Sequence, residues 1–342
     1  MLRNRVYKTE IKPSEEQKIL INKHIGCCRF LFNHYIAKNK EQYEKYKNGE
    51  VDKGFIGANE FNKYINHELS KELPWIKEHN AKARKKALEN GEIAFKRFFK
   101  GLGRFPKFKK KKNQDIGVYI SKSSLKSIEV QRHRIKVPNL KWIRIKEYGY
   151  VPNGYPTSVT ITKKANRYYI SILYKEEIEI PKNDSIEGIG VDVGLKEFAV
   201  FSNGEIHKNI NKTSRVRKLE KKLKREQKKL SRKYEVRKKG GEGYKNIQKQ
   251  ILIIQKLHQR LANIRTNHIK MVVNALIKTK PKYITIEDLN VRGMMKNRNL
   301  SKTIAQQKFY EFRTKLEYKC KLNGIELRVV DKFDPFSINW TL

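Results

Sequence analysis

Hydrophobic and polar residues along the chain change period several times, and each change marks an element. Residues 2–12 alternate and predict one strand; Pro13-Ser14-Glu15-Glu16-Gln17 then opens a helix, with Ile19, Leu20, Ile25 and Phe30 at helical spacing. The helical pattern continues to about residue 112, where ENGEIAFKRFFKGLGRFPKFKKKKN leaves it as a basic loop punctuated by Gly and Pro. From 116 to 180 the period falls to two in IEVQRHRIKVP, WIRIKEY and SVTITKKANRYYISILYKE, which predicts an antiparallel β domain. Because one strand precedes the helices and the rest follow them, the helices read as an insertion into a small barrel. Pro181 to Ser185 reads as a linker.

The second half starts with the apolar run GIGVDVG, then EFAVFS, an Asn203-Gly204 turn and a further short strand, a hairpin signature. Val216, Leu219, Leu223, Leu230 and Tyr234 recur at steps of three and four, glycines at 240, 241 and 243 break the run, and Ile247, Ile251, Ile254, Leu257, Leu261 and Ile264 resume it. Two long helices folded into a hairpin follow. A buried strand over 282–286, a helix from about Ser301 to Asn323 and a last strand IELRVVD complete an α/β layer order similar to the ribonuclease H architecture.

Charge narrows the function. The 342 residues hold 78 Lys and Arg against 35 Asp and Glu, a formal net charge of +43, which a compact fold tolerates best beside a polyanion. Nucleic acid is the natural partner, and 17 Tyr and 15 Phe among the cations allow bases to be stacked as well as phosphates paired. Residues 215–239 alone carry 14 basic and three acidic side chains, which reads as a phosphate-binding ridge, with a charged coiled coil as the alternative. Cys27, Cys28 and Cys320 form no C-x-x-C spacing, so neither a zinc ribbon nor a disulfide framework is expected, and Cys27 and Cys28 read as small buried thiols. No signal peptide or membrane span is recognisable, and a cytoplasmic location follows by default.

Two carboxylates carry the candidate chemistry. Asp192 leaves an apolar strand beside Gly194, and Glu287 ends another in TIEDL; a carboxylate so placed is costly unless a metal or a cation compensates it. Asp288 reads instead as a cap for the following LNVRGMM.

These segments together resemble the TnpB family, the transposon-encoded RNA-guided nucleases akin to the ancestors of type V CRISPR effectors. GIGVDVGLKEFAVFSNGE, RKLEKKLKREQKKLSRK, ITIEDLNVRGMMKNRNLSKTIAQQKFYEFRTKLEYKC, the N-terminal YKTEIKPSEEQKILINKHIGCCRFLFNHYIA and FKRFFKGLGRFPKFKKKK occur in the family's order across nearly the whole chain. The resemblance implies an α+β multidomain protein: a wedge-type β-barrel (1–12 and 113–181), an inserted helical recognition domain (13–112) and a C-terminally truncated RuvC-like α/β domain (182–342) with a long basic helical hairpin. It implies a magnesium-dependent site of three acids, with Asp192 and Glu287 matching the first two. The third acid and the four-cysteine ribbon match no residue, although Asp331 or Asp334 could supply an acid.

The expectation drawn from that gap is a nuclease-dead relative similar to TnpB-like repressors, with no active catalytic residue. It would require no cofactor, with weak magnesium binding at the vestigial Asp192 and Glu287 left open. Guide RNA and a double-stranded DNA target would be its partners, in a monomeric ribonucleoprotein without a membrane, associated with the bacterial nucleoid when bound to target. The alternatives are an active magnesium-dependent RNA-guided endonuclease and a general RNA-binding protein. Lys82, Lys85 and Lys86 are the candidate contacts to a flanking duplex motif; Arg104, Lys107, Lys109 and Lys110, with Lys221, Lys222, Arg225 and Lys229 on the hairpin, are the candidate phosphate contacts.

Overall fold

The computed structural model describes residues 2–111, 117–124, 126–238 and 243–330. The chain divides into two compact units, Leu2–Ile178 and Glu179–Leu342.

In the first unit, β1 (Leu2–Lys12) leads through Pro13 into α1 (Glu15–Lys47). The helix starts there because Ser14 and Gln17 form a reciprocal capping box. Gln17 does a second job, since its Nε2 also donates to the carbonyls of Leu140 (2.7 Å) and Trp142 (3.0 Å). After α1 come α2 (Ala58–Tyr64), a π-helical turn (Ile65–Leu69), the single turn α3 (Ser70–Glu72), a 3-10 turn (Pro74–Ile76) and α4 (Ala81–Phe99). The helical run therefore ends at Phe99, and residues 102–110 have no regular structure.

The strands that follow are β2 (Gly117–Ser121), β3 (Glu129–Gln131), β4 (Arg134–Val137), β5 (Lys141–Ile145), β6 (Ser158–Lys164) and β7 (Arg167–Glu177). They join β1 in an antiparallel sheet of order β2-β6-β7-β1-β5-β4-β3. The barrel expected from the sequence is thus corrected to an open sheet: among the described residues no ladder joins β2 to β3. The free side of the three-residue β3 is met instead by Gly154, whose N–H and carbonyl both bond Val130 (3.0 and 2.8 Å). The central strand β1 lies where the first residues of a chain pair with partners that come 130 or more positions later, Arg144 and Ile145 of β5 and Tyr168 to Glu177 of β7.

One face of this sheet (Val118, Ile120, Ile135, Ile143, Ile161, Ile170, Ile172) buries against Ile21 and Cys28 of α1 and Ala83 and Ala87 of α4. Further along the same helix, Cys27, Leu31, Phe32, Tyr35 and Ile36 join a second core with Phe61, Ile65, Leu88 and Phe95. One inner face of α1 thus serves two cores in succession, and the helix approaches α4 closely at Gly91, where a Cβ would lie 2.5 Å from the Tyr35 ring.

The second unit is built on β8 (Gly188–Asp192), β9 (Glu197–Phe201), β10 (Ile206–Lys208), β11 (Tyr283–Glu287) and β12 (Glu326–Val330), in the order β10-β9-β8-β11-β12. The first three are antiparallel and turn at Gly204, whose φ of 87° suits glycine. Strand β11 is parallel to both of its neighbours. The long crossover from β10 to β11 is the helical hairpin α5 (Ser214–Lys238) and α6 (Tyr244–Lys278). Short α7 (Val291–Met294) and α8 (Ser301–Gln307) then precede α9 (Phe309–Leu322). The single helix read over Ser301–Asn323 is broken at Lys308, which adopts a left-handed conformation (φ 59°) between α8 and α9. Ile269, Val272, Val273 and Leu276 of α6 and Phe312, Leu316 and Cys320 of α9 cover Ile189, Val191, Phe198, Ile284 and Ile286 of the sheet.

All three cysteines are free and buried, and burial pushes the Cys27 and Cys28 thiols up to about 12 and Cys320 to about 11, so they pack as inert small side chains. Among the described residues no helix is long and apolar enough to cross a membrane.

Candidate acidic site and nucleic-acid interface

Asp192 is the last residue of β8 and Glu287 the last of β11, and these strands are neighbours in the parallel part of the sheet. Their ladder pairs Tyr283 with Gly188 and continues to Ile286 with Val191, so the next position along brings the two carboxylates side by side. Adjacent strands are about 4.8 Å apart, which places both acids within reach of one cation. They stand at the carboxyl ends of the parallel strands, where α/β sheets open their crevices. Asp192 is exposed and Glu287 half-buried. At Gly194, two residues on, the backbone comes close to β9: an added Cβ would lie 3.3 Å from the Glu197 carbonyl oxygen.

A cleft of about 250 Å³ opens beside Glu287, with Val193, Ile286, Leu289, Phe309 and Phe312 as its apolar wall and Arg313 on its rim. Asp288 does not cap the next segment. Its N–H donates to the Val330 carbonyl (2.8 Å), which ties the end of β11 to β12, and its carboxylate pairs with Arg313 of α9. Asn290 is the cap, accepting from the Gly293 N–H at 2.9 Å.

Magnesium is commonly held by one or two carboxylates together with substrate phosphates and water, and Asp192 with Glu287 fits that donor set. Among the described residues no group of three or more His, Cys, Asp or Glu side chains converges. Asp331 and Asp334, the candidate third acids, lie outside the described residues.

The basic candidates fall into three places. Lys82, Lys85 and Lys86 are on α4, with Lys82 donating to the Lys122 carbonyl, Lys85 exposed, and Lys86 paired with Glu89 (2.9 Å) and lying 5.7 Å from the Tyr119 ring centre. Lys86 and Lys109 line one small cavity together with Tyr119 and Phe32. The Lys109 ammonium lies over the Phe32 ring at 4.5 Å, while Arg104, Lys107 and Lys110 are exposed along the same segment. On α5, Lys221, Lys222 and Arg225 line a shallow groove with Lys218, Lys224 and Lys228, and no acid is among the described residues that line it. Lys229, one turn beyond Arg225, is not among the residues lining that groove and pairs with Glu226 (3.1 Å).

Glu226 is nearly buried in the hairpin. Gln250 donates to its carboxylate (2.7 Å) and its carbonyl (3.1 Å), and that bond, followed by Lys229, lowers the carboxyl below its usual range. Sequence reading missed this polar link, the Asp288–Arg313 pair and the exposure of Phe99, Phe105 and Phe108. The first two join residues 24 and 25 positions apart and leave no local signal; the third was visible as phenylalanines spaced among cations.

The comparisons with known proteins decide the family. Residues 171–298 match the OrfB_IS605 model, described as "Probable transposase", and residues 1–48 match the associated "Helix-turn-helix domain" model. The second description does not fit the geometry here, because those residues form a strand and one uninterrupted helix. The "Putative RNA-guided DNA endonuclease InsQ" of Escherichia coli (strain K12) is 30% identical over 96% of this chain and 81% of its own length. The chain belongs to the TnpB family. A "Putative RNA-guided DNA endonuclease" of Streptomyces pristinaespiralis is 25% identical over 97% of this chain and 79% of its own length. Among solved structures, the Cas12f1 chain of a complex with single-guide RNA and target DNA superposes with a TM-score of 0.58 at 13% identity. It covers 96% of this chain and 89% of that one, and shows a shared fold.

These relatives overturn the expectation of a protein that is not an enzyme. That expectation rested on an unmatched third acid and cysteine ribbon, whereas the TnpB relatives that align along nearly all of this chain are named "Putative RNA-guided DNA endonuclease" and extend beyond it in length. Nothing among the described residues marks the acidic site as inactive.

Proposed function

We propose that this TnpB-family chain is a magnesium-dependent, RNA-guided DNA endonuclease whose acidic site contains Asp192 and Glu287. The observation that carries this reading is the side-by-side placement of the two acids at the ends of β8 and β11. The names of the E. coli and Streptomyces relatives support the reaction, and the guide RNA and target DNA in the Cas12f1 complex support the partners. In this reading Leu2–Ile178 combines the wedge and recognition parts, and the unit from Glu179 is the RuvC-type nuclease domain; its strand order, with an antiparallel hairpin beside parallel strands, supports that assignment.

Bound magnesium would supply charge neutralisation at the scissile phosphate and a water of lowered pKa. The protein's own part is positional. Asp192 and Glu287 are fixed by the rigid ends of two paired strands, and Arg313 holds positive charge at the rim of the neighbouring cleft. Guide pairing reads the sequence of the target, while the lysines of α4 and α5 hold backbone phosphates without reading bases.

The test is cleavage of a plasmid carrying a guide-matched target by the ribonucleoprotein in magnesium. A product that needs the matched guide and disappears in Asp192→Ala is expected. Guide-dependent binding with no product under any magnesium or manganese concentration would overturn the assignment.

A further inference from the structure

We propose that the segment Phe99–Lys110 is a stacking platform for unpaired bases of single-stranded nucleic acid, a binding site separate from the acidic pair. Helix α4 stops at Phe99 because Gly101 takes a left-handed turn (φ 67°), with the Gly101 N–H bonded to the Phe98 carbonyl and the Leu102 N–H to that of Arg97. The chain then runs without helix or strand, yet it is held firmly. Asn33 of α1 clasps the Lys109 backbone from both sides, accepting from its N–H (2.8 Å) and donating to its carbonyl (3.0 Å), and Pro106 is buried.

On this anchored loop three phenylalanine rings remain in solvent. Phe99 is 54% exposed, Phe105 38% and Phe108 53%. Two of the three are braced: Phe99 stacks on buried Phe95 at 6.1 Å, and Phe105 sets its edge against Phe95 (5.5 Å) and Phe98 (5.3 Å). Rings fixed from below and open above are preorganised for a flat ligand.

The charges around them choose the ligand. Residues 93–114 contain no acid at all, and Lys100, Arg104, Lys107 and Lys110 alternate with the exposed rings. The core of a protein interface is depleted of charge, so a cation between every pair of rings argues against a protein partner. Phosphates interleaved with planar bases are complementary to this alternation, and base stacking on aromatic rings is the usual recognition of unpaired strands.

The experiment uses the full chain freed of RNA at high salt and two probes of equal charge: a twelve-nucleotide single-stranded oligodeoxyadenylate and an abasic strand of the same length. Wild type is expected to prefer the base-bearing strand by roughly tenfold per stacked base. Phe99→Ala/Phe108→Ala should erase that preference while leaving the salt dependence unchanged, and Phe99→Tyr/Phe108→Tyr should restore it. Both positions are exposed, and thermal unfolding by circular dichroism confirms that the variants fold. Equal binding of the two probes by wild type, or a preference that survives the alanine pair, overturns the proposal. So does a dimer in sedimentation that the alanine pair disrupts with no change in base preference. Neither guide nor cleavage enters the readout, so failure here is distinct from failure of the endonuclease reading.

Discussion

Ile286 and Val191 are register partners in the parallel ladder of β11 and β8, and the residue that follows each of them is an acid: Glu287 and Asp192. Two like charges on adjacent strand ends repel one another unless a cation lies between them. Asp192→Asn and Glu287→Gln should therefore each abolish cleavage of a matched target, by more than about 100-fold given what losing even an outer partner of a metal costs. Thermal stability without magnesium should hold or rise slightly in both, since a repulsion is removed. Cleavage rates and melting curves for the same preparations check the two halves; cleavage at the wild-type rate in either variant would remove that residue from the site.

The same pair of strands has a tight joint at its other end. Tyr283 packs across Gly188, where a Cβ would fall 2.1 Å from the ring, and the Arg328 guanidinium lies 3.7 Å from the ring centre. The glycine is fixed by the aromatic ring of the partner strand. Gly188→Val should destabilise this unit by about 1–3 kcal/mol through overpacking. Urea titration reads that loss, and Gly188→Val with Tyr283→Ala should recover part of it; a double variant no more stable than the single one would mean that another neighbour demands the glycine.

His24 and His79 meet in the first unit with their Nδ1 atoms 2.6 Å apart, an arrangement that needs one nitrogen to donate and the other to accept. Burial, then the neighbouring His79, lowers His24 to about 4, and burial lowers His79 as well. The unfolded chain has an ordinary histidine near 6.5 and binds the proton first. Between pH 6.5 and about 4 the folded state thus loses stability as pH falls, by about 1.4 kcal/mol per unit for one such group, with no further loss from it below about 4. Urea unfolding at pH 4.5, 5.5 and 6.5 should give a shallower slope for His24→Gln than for wild type. Parallel slopes would show that the pair does not titrate on unfolding.

Much of this fold was legible because local rules and tertiary structure agree. The strand at 2–12, the helix opened by Pro13 to Gln17, the Asn203-Gly204 hairpin and the strand ending at Glu287 all appear where the pattern puts them. The buried face of α1 was not legible. Ile19, one of the apolar positions at helical spacing, is 59% exposed, whereas Ile21, His24, Cys28, Leu31, Tyr35 and Asn39 form the inner stripe. A polar histidine and asparagine hide that stripe from a hydrophobic count, and their partners, His79 and the backbone N–H of Ile56, are far away in sequence. Pairing of β1 with β7 escapes for the same reason, since the partner residues are some 160 positions apart. At the acidic site each carboxylate was visible alone, but their adjacency depends on strand order, which periodicity does not encode.

The hairpin offers a comparison within one helix. Lys221, Lys222 and Arg225 line the open basic groove on α5, while Lys229, four residues beyond Arg225, is tied to Glu226, and Glu226 is held by Gln250. A cation that already has a buried-side partner releases fewer counterions when a phosphate arrives. Replacing Lys221, Lys222 and Arg225 by alanine should weaken RNA binding and reduce the slope of log K against log salt by about 0.7 for each phosphate that is no longer neutralised on a single strand. Lys229→Ala should change that slope by less than any one of the three. Binding isotherms at several salt concentrations measure all four variants together. A Lys229→Ala effect as large as the others would place the phosphate path along the Glu226 side of the helix, and the groove lined by Lys218 and Lys228 would lose its role.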